Sequence, residues 1–300
     1  MDRKVVSRFA PSPTMTGDDP QPHLGFYRTL YHSWLAARAS KDGGKFILRI
    51  DDTDLTRSTT ENIDRIYKAV ESMGLDWDET FMQSDNFENY RYFAEQLVMD
   101  DVAMYDDGCI RLNKEVMSER GIRCDWTDEI SGDKASNDSI KEIAFNQVII
   151  KSDGSPTYNF CTVIDDIESG ITDVIRGTDH ISNTYKQMVF YRLLPDSSIP
   201  KFHHVGLVCN RNGAKLSKRE SNEMNLSQYD TDAMLNYVLR LGWGPFVDNK
   251  AANIIGKDRA QNMFWTDGKL RAPNSKVDTN KLDWLNKKYV GMKKAQLQSS

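Results

Sequence analysis

The chain has 300 residues, 39% hydrophobic and 28% charged, with a net charge of −5; that is ample for a sizeable core with smaller appendages. It excludes a strongly basic nucleic-acid coat, although a local basic stripe suffices for RNA, and no apolar run approaches the roughly 18 residues of a membrane helix. The four cysteines, Cys109, Cys124, Cys161 and Cys209, are far apart without a CxxC pair, so buried thiols are expected and not zinc or disulfides, and the N-terminus, without a signal-like apolar stretch, fits a cytoplasmic protein.

Val5 to Ala10 reads as a short buried strand. Leu24, Tyr27, Tyr31, Trp34, Leu35 and Arg38 recur at three- and four-residue steps, which predicts a helix over 24–40, stopped by Gly43-Gly44. KFILRI (45–50) is a second strand. Ser58-Thr59-Thr60-Glu61 is a capping box opening a helix through Ile63, Ile66, Tyr67 and Val70, and Asp85 is expected to cap another through Phe87, Tyr90, Phe93 and Leu97. Strand and helix in alternation predict a parallel sheet with crossover helices. The pattern breaks over 100–146, which is polar and loop-rich (SGDKASNDS) apart from a strand-like CIRLN. It resumes with QVIIKSD, FCTVID and DVIRG as strands, a helix over 180–194 with Met188, Phe190, Tyr191 and Leu194 in the core, and the strand FHHVGLV. From Ser227 the chain reads as helical, with Met234, Tyr237, Val238 and Leu241 on one face.

Four features carry chemistry. His23 and Gly25 open the first helix behind a strand, where backbone N–H groups and the helix dipole favour an anion; Gly25 permits close approach and His23 can donate to a phosphate. GAKLSKRE (213–220) has two lysines three apart in a glycine-led loop, a suitable anion clamp. LRIDDTD (48–54) sets three acids after a buried strand, for a metal, a ligand ammonium, or capping and salt bridges. Tyr158 and Arg176, placed on or beside adjacent predicted strands, suit a carboxylate, unless Arg176 pairs with Asp165 or Asp166.

The order of these motifs closely resembles the catalytic core of the glutamyl-tRNA synthetases of class I. RFAPSPT with HLG is similar to the first signature of that family, and KLSKR to the second. GSPTYNF, ITDVIRGTDH and NKLDWLNKKY also resemble family sequence. The resemblance implies an α/β fold: a Rossmann-like doubly wound parallel sheet, with a reduced inserted subdomain for the tRNA acceptor end and a C-terminal helical region contacting the stem. The expected divisions are 1–99 and 147–226 for the two catalytic halves, 100–146 for the insertion and 227–300 for the helical region. It further implies that Arg8, Ser12, Asp51, Tyr158, Thr162 and Arg176 bind L-glutamate. His23, Gly25, Asp179, Val208, Lys215, Ser217 and Lys218 would bind ATP with Mg2+, with His23, Lys215 and Lys218 acting in catalysis. The partner would be tRNA, met at its acceptor end and inner stem by a monomer without a membrane.

Three departures stand out. The spacer Met15–Pro22 is longer than usual, Asp51 stands where the family places a glutamate, and Phe26 replaces a histidine or small residue. Cys109 belongs to a predicted strand, so no zinc is expected. The chain also ends soon after NKLDWLNKKY, where the family continues into an anticodon-binding region. Two alternatives stay open: glutamylation of a queuosine base in tRNA by a truncated relative, and a non-catalytic tRNA- or partner-binding paralogue.

Overall fold

The structure, a computed structural model, describes residues 3–14, 21–41, 44–195, 197–216, 220, 224–246 and 254–299. The central strands of its main sheet are buried on both faces, as parallel strands require. Val6–Phe9 (β1), Lys45–Ile50 (β2) and Glu79–Met82 (β3) come first. Ala103–Asp106 (β4) and Cys109–Leu112 (β5) lie elsewhere. Trp126–Asp128 (β6), Gly132–Lys134 (β7), and, after Val148–Ile150 (β8), Asp173–Gly177 (β9) and Lys201–Val205 (β10) complete it. Seven strands pair in the order β3-β2-β1-β9-β10-β6-β7, with only β7 antiparallel to its neighbour. The direction of winding reverses between β1 and β9. In open α/β sheets that switch point, at the carboxyl ends of the strands, leaves a crevice for ligands.

Helices cover both faces. Leu24–Arg38 (α1) and Thr60–Ser72 (α2) share one hydrophobic cluster with the C-terminal region; Phe87–Met99 (α3), Tyr158–Glu168 (α6) and Ile181–Leu193 (α7) share the other. The strands divide between the clusters by alternation. Phe46, Leu48 and Ile50 point to the first and Ile47 to the second; Ile175 points to the first and Val174 to the second. Met188, Phe190, Tyr191 and Leu194 are buried as expected.

The doubly wound parallel sheet stands as the sequence implied, with several corrections. FCTVID is helical, not a strand: a short run buried throughout has no period to separate the two, and all six residues are buried inside α6. The strand within QVIIKSD, β8, joins a three-stranded antiparallel sheet, β4-β5-β8, and not the parallel one. That small sheet, with Lys114–Glu119 (α4) and Asp138–Phe145 (α5), buries Ile110, Leu112, Met117 and Ala144 in the second cluster. The polar stretch 100–146 also supplies β6 and β7, each three residues long, to the edge of the main sheet. Thr59, not Ser58, caps α2, its side chain accepting the Asn62 N–H. Asp85 caps no helix; it lies in a 3-10 turn, Gln83–Asn86, before α3.

The region after Ser227 is not all helix. Thr231–Arg240 (α8), Lys257–Met263 (α9) and Thr279–Ser299 (α10) are helical. Between them Trp243–Pro245 (β12) pairs with Gly268–Leu270 (β13), and Val208–Cys209 (β11) pairs in parallel with Ser275–Lys276 (β14). No helix among the described residues is long and apolar enough to cross a membrane.

Candidate active site

The first strand delivers its chain to the sheet's carboxyl edge, and α1 starts there. His23 is the N-cap of α1: its Nδ1 accepts the Phe26 N–H at 3.2 Å, and its carbonyl begins the helix. This fixes the tautomer, because a nitrogen that accepts carries no proton, so Nε2 carries it and is a donor. Gly25 makes the cap possible. A Cβ there would stand 2.9 Å from both Cε1 and Nδ1 of His23. The His-x-Gly pair therefore has a local reason, a ring folded back over the helix start.

Around this turn a cavity of about 360 Å³ opens at the switch point. Arg8, Ser12, His23, Gly25, Asp51, Tyr158, Arg176, Asp179, Val208 and Lys215 all line it. Thr162 does not: it is fully buried in α6 and its Oγ1 has no hydrogen-bond partner among the described residues. Ser217 and Lys218, and Met15 to Pro20 of the spacer, lie outside the described residues. Larger hollows of about 960 and 880 Å³, beside β6–β7 and beside α2, gather none of these side chains.

Two arginines shape one wall. Arg8 donates through Nε to Asp166 at 3.2 Å, one link of a buried network. Arg49 reaches Asp51 at 2.6 Å, Asp166 at 2.8 Å and Asp165 at 3.6 Å. Gln83 and the Tyr90 hydroxyl each donate to Asp165 at 2.7 Å. Asp51 thus faces the cavity with a carboxylate already shared with Arg49. The other acids of LRIDDTD are satisfied locally, Asp52 by Ser84 and Asp54 by Thr56 and Arg57, so among the described partners this trio caps and salt-bridges and gathers no metal site.

Arg176 differs from Arg8. It pairs with neither Asp165 nor Asp166. Its Nε donates to His204 Nε2 at 3.1 Å, and one terminal nitrogen donates to Thr184 Oγ1 at 2.7 Å and Gln187 Oε1 at 2.8 Å. All these acceptors are neutral. The other terminal nitrogen, NH1, is buried with no partner in the described chain. Burial pushes the guanidinium pKa below its ordinary value, and Arg8 adds repulsion. Asp166 attracts it without a direct contact, which does not offset the burial; a buried cation with no directly paired carboxylate at a cavity wall suits an anionic ligand.

On the opposite side Lys215 Nζ lies 2.6 Å from Asp179 Oδ2. Burial opposes ionisation of Asp179, but the Lys215 hydrogen bond and nearby His180 hold its pKa below the usual range. Gly177 leaves room for that carboxylate: a Cβ there would lie 2.4 Å from Asp179 Oδ1. The Val208 carbonyl accepts the Leu216 N–H at 3.0 Å, which lays the Lys215 segment against β11. The sequence reading missed Arg28, which lines the same cavity, is 3% exposed, donates through NH1 to the Gly206 carbonyl and has an Nε without a partner among the described residues. Burial lowers its pKa to about 10. The available signal was a charge on the inner stripe of α1, four residues after Leu24 and three before Tyr31.

Comparison with known proteins identifies the family. The profile of the class I tRNA synthetases (E and Q), catalytic domain, matches residues 4–136 and 106–284. Glutamate–tRNA ligase 2 of Neorickettsia sennetsu is 39% identical over 292 residues, covering 95% of this chain and 66% of its own length. Glutamate–tRNA ligase of Pelobacter propionicus is 36% identical, covering 94% and 65%. The crystal structure of a glutamate tRNA ligase from Elizabethkingia meningosepticum in complex with its amino acid superposes with a TM-score of 0.80 at 26% identity, over 97% of this chain and 70% of that one. The chain spans about two thirds of the length of the curated relatives it matches. With a profile match across nearly its whole length, the chain belongs to the class I tRNA synthetases of the glutamate and glutamine group.

Proposed function

We propose that this cavity activates L-glutamate with Mg-ATP and passes the glutamyl group to the 3′ end of a tRNA. The observation that carries the reading is the buried NH1 of Arg176, without a hydrogen-bond partner among the described residues, on a side chain that lines the same cavity as Arg8. Arg8 and Arg176 take glutamate carboxylate oxygens, with Tyr158 and Ser12 completing the pocket and Asp51 near the ammonium. His23 Nε2 and the α1 N-terminus meet the phosphates, Asp179 the ribose, and the backbone near Val208 the adenine. Lys215, with Ser217 and Lys218 beyond it, closes over the triphosphate. An α-carboxylate oxygen attacks the α-phosphorus and pyrophosphate leaves; the terminal ribose hydroxyl then attacks the acyl carbon and AMP leaves. Positioning and charge stabilisation carry both steps. Residues of the 100–146 segment meet the acceptor end, and the C-terminal region meets the stem; Lys281 and Lys288 lie 5.5 and 5.8 Å over the Trp284 ring there.

The direct test is charging of total tRNA with labelled glutamate, followed by mild base and periodate. A base-labile product blocked by prior periodate oxidation of the tRNA supports the terminal ester. Label retained on a base within the tRNA supports queuosine glutamylation instead. No adenylate and no transfer, with or without tRNA, would leave the non-catalytic paralogue.

Two substitutions separate site roles from fold roles. Gly25→Ala removes a helix glycine, a gain of up to about 1 kcal/mol, and displaces the His23 cap, a loss of about 1 kcal/mol. The melting temperature should therefore barely move while ATP affinity drops about tenfold. Lys215→Met breaks an exposed ion pair worth at most about 1 kcal/mol. It should leave stability within error and slow ATP–pyrophosphate exchange about tenfold, a loss of about 1.4 kcal/mol. Unchanged exchange would remove Lys215 from the phosphate site.

A further inference from the structure

We propose that Asp128 and His204 form a positioning relay that fixes the guanidinium plane of Arg176 for its carboxylate ligand. The inference rests on Arg176 taking that carboxylate. Asp128 ends β6, in the stretch the sequence set apart from the catalytic halves, and is 1% exposed. Its Oδ1 accepts from Ile130 N at 3.1 Å and from Ser131 N and Oγ at 2.9 Å; its Oδ2 accepts from His204 N at 3.0 Å and meets His204 Nδ1 at 2.7 Å. Every backbone or hydroxyl neighbour of this carboxylate is a donor, so the proton between Asp128 and the ring sits on Nδ1.

That assignment leaves Nε2 of His204 with a lone pair, and Nε2 is the atom facing Arg176 Nε at 3.1 Å. Trp126 and Phe202 pack against the ring with centroids 5.1 and 6.1 Å away, and Phe202 also underlies the Arg176 guanidinium at 5.3 Å. Burial lowers the His204 pKa to about 4 despite Asp128, so the ring is neutral near pH 7. With Nε held by His204 and one terminal nitrogen held by Thr184 and Gln187, NH1 is the edge left for a ligand. The opposite tautomer would set Nε2–H against Arg176 Nε–H, two donors face to face; its proton would go to Thr184 Oγ1, 3.1 Å away, and the Arg176 Nε bond would be lost.

Asp128→Asn creates that conflict at constant shape. Whichever way the amide lies, its NH2 meets donors: toward Ser131 it breaks the turn, and toward His204 it donates to Nδ1 and moves the ring proton to Nε2. The experiment compares the full chain with Asp128→Asn, His204→Gln, the double variant and Arg176→Ala. It reads glutamate and ATP binding by calorimetry, thermal stability, and the nitrogen-15 shifts of labelled histidine. The relay predicts a protonated Nδ1 and bare Nε2 at His204 in the parent. In Asp128→Asn it predicts the reverse, with glutamate affinity down about tenfold and ATP affinity within twofold. In the double variant the glutamine amide oxygen can stand in for Nε2, so glutamate affinity recovers relative to Asp128→Asn. Unchanged glutamate affinity in Asp128→Asn, or equal losses for both ligands, overturns the relay while Arg176→Ala still loses glutamate. Retained glutamate affinity in Arg176→Ala overturns the carboxylate reading itself, and the relay with it.

Discussion

Arg176→Ala is expected to weaken glutamate binding about a hundredfold, close to 3 kcal/mol, with ATP binding altered threefold or less. The size follows from the setting. The guanidinium is 5% exposed, its donors Nε and NH2 meet only neutral acceptors, and NH1 has none. A ligand carboxylate there makes a charge-assisted bond in a low-dielectric wall, where such bonds are strongest. The deletion also leaves His204 Nε2 and Gln187 Oε1 without their donor, so a lower melting temperature is expected and must be measured alongside. Arg176→Lys keeps the charge but as a point on a flexible stem, and cannot serve His204, Thr184, Gln187 and a ligand together. It should fall between parent and alanine. Glutamine should bind at least tenfold more weakly than glutamate to the parent, because its amide NH2 would face arginine donors, and that preference should shrink in Arg176→Ala. Calorimetry with both amino acids checks all of this, and a parent that binds the two equally would remove the arginine pair as the source of selectivity.

The parallel sheet was legible because short strands such as KFILRI alternate with periodic helices. Elements of two or three residues, such as Trp126–Asp128 and Gly132–Lys134, leave no such pattern; their pairing is set by tertiary contact with β10. FCTVID misled for a related reason. Between the second hydrophobic cluster and the buried arginines, its helix has no solvent face to expose a period. The His-x-Gly turn, the Arg176 strand and the Lys215 loop were legible as motifs, and ten of the residues so marked line one cavity. What holds them was not. Arg49 with Asp165 and Asp166, and Asp128 with His204, are contacts between residues 76 to 117 apart along the chain, and no local spacing announces them.

Arg49→Ala should cost about 3–5 kcal/mol of folding stability at pH 7, more near that pH than in acid. Two arginines, Arg8 and Arg49, face three buried aspartates, Asp51, Asp165 and Asp166. Burial opposes the ionised form of Asp166, but Arg8 and Arg49 together hold its pKa below the usual range. Asp165, with a longer contact to Arg49, is pushed up to about 6 by burial, and burial raises Asp51 as well. For a carboxyl whose native pKa exceeds its unfolded value of about 3.9, the folded state holds a proton that the unfolded chain has released. Its stabilising contribution is fully present below about pH 4 and is lost as pH rises to about 6. Removing Arg49 takes away the attraction favouring all three carboxylates, so their native pKa values rise further and this loss extends toward neutrality. The deficit of the variant should therefore shrink from pH 7 to pH 5, as the aspartates take up protons in the folded state. Denaturant melts at the two pH values measure it, with Lys45→Ala, which removes only the exposed pair to Glu79, as a control expected to stay within about 1 kcal/mol. A deficit that is the same at both pH values would mean the side chain is held for its packing and not for its charge.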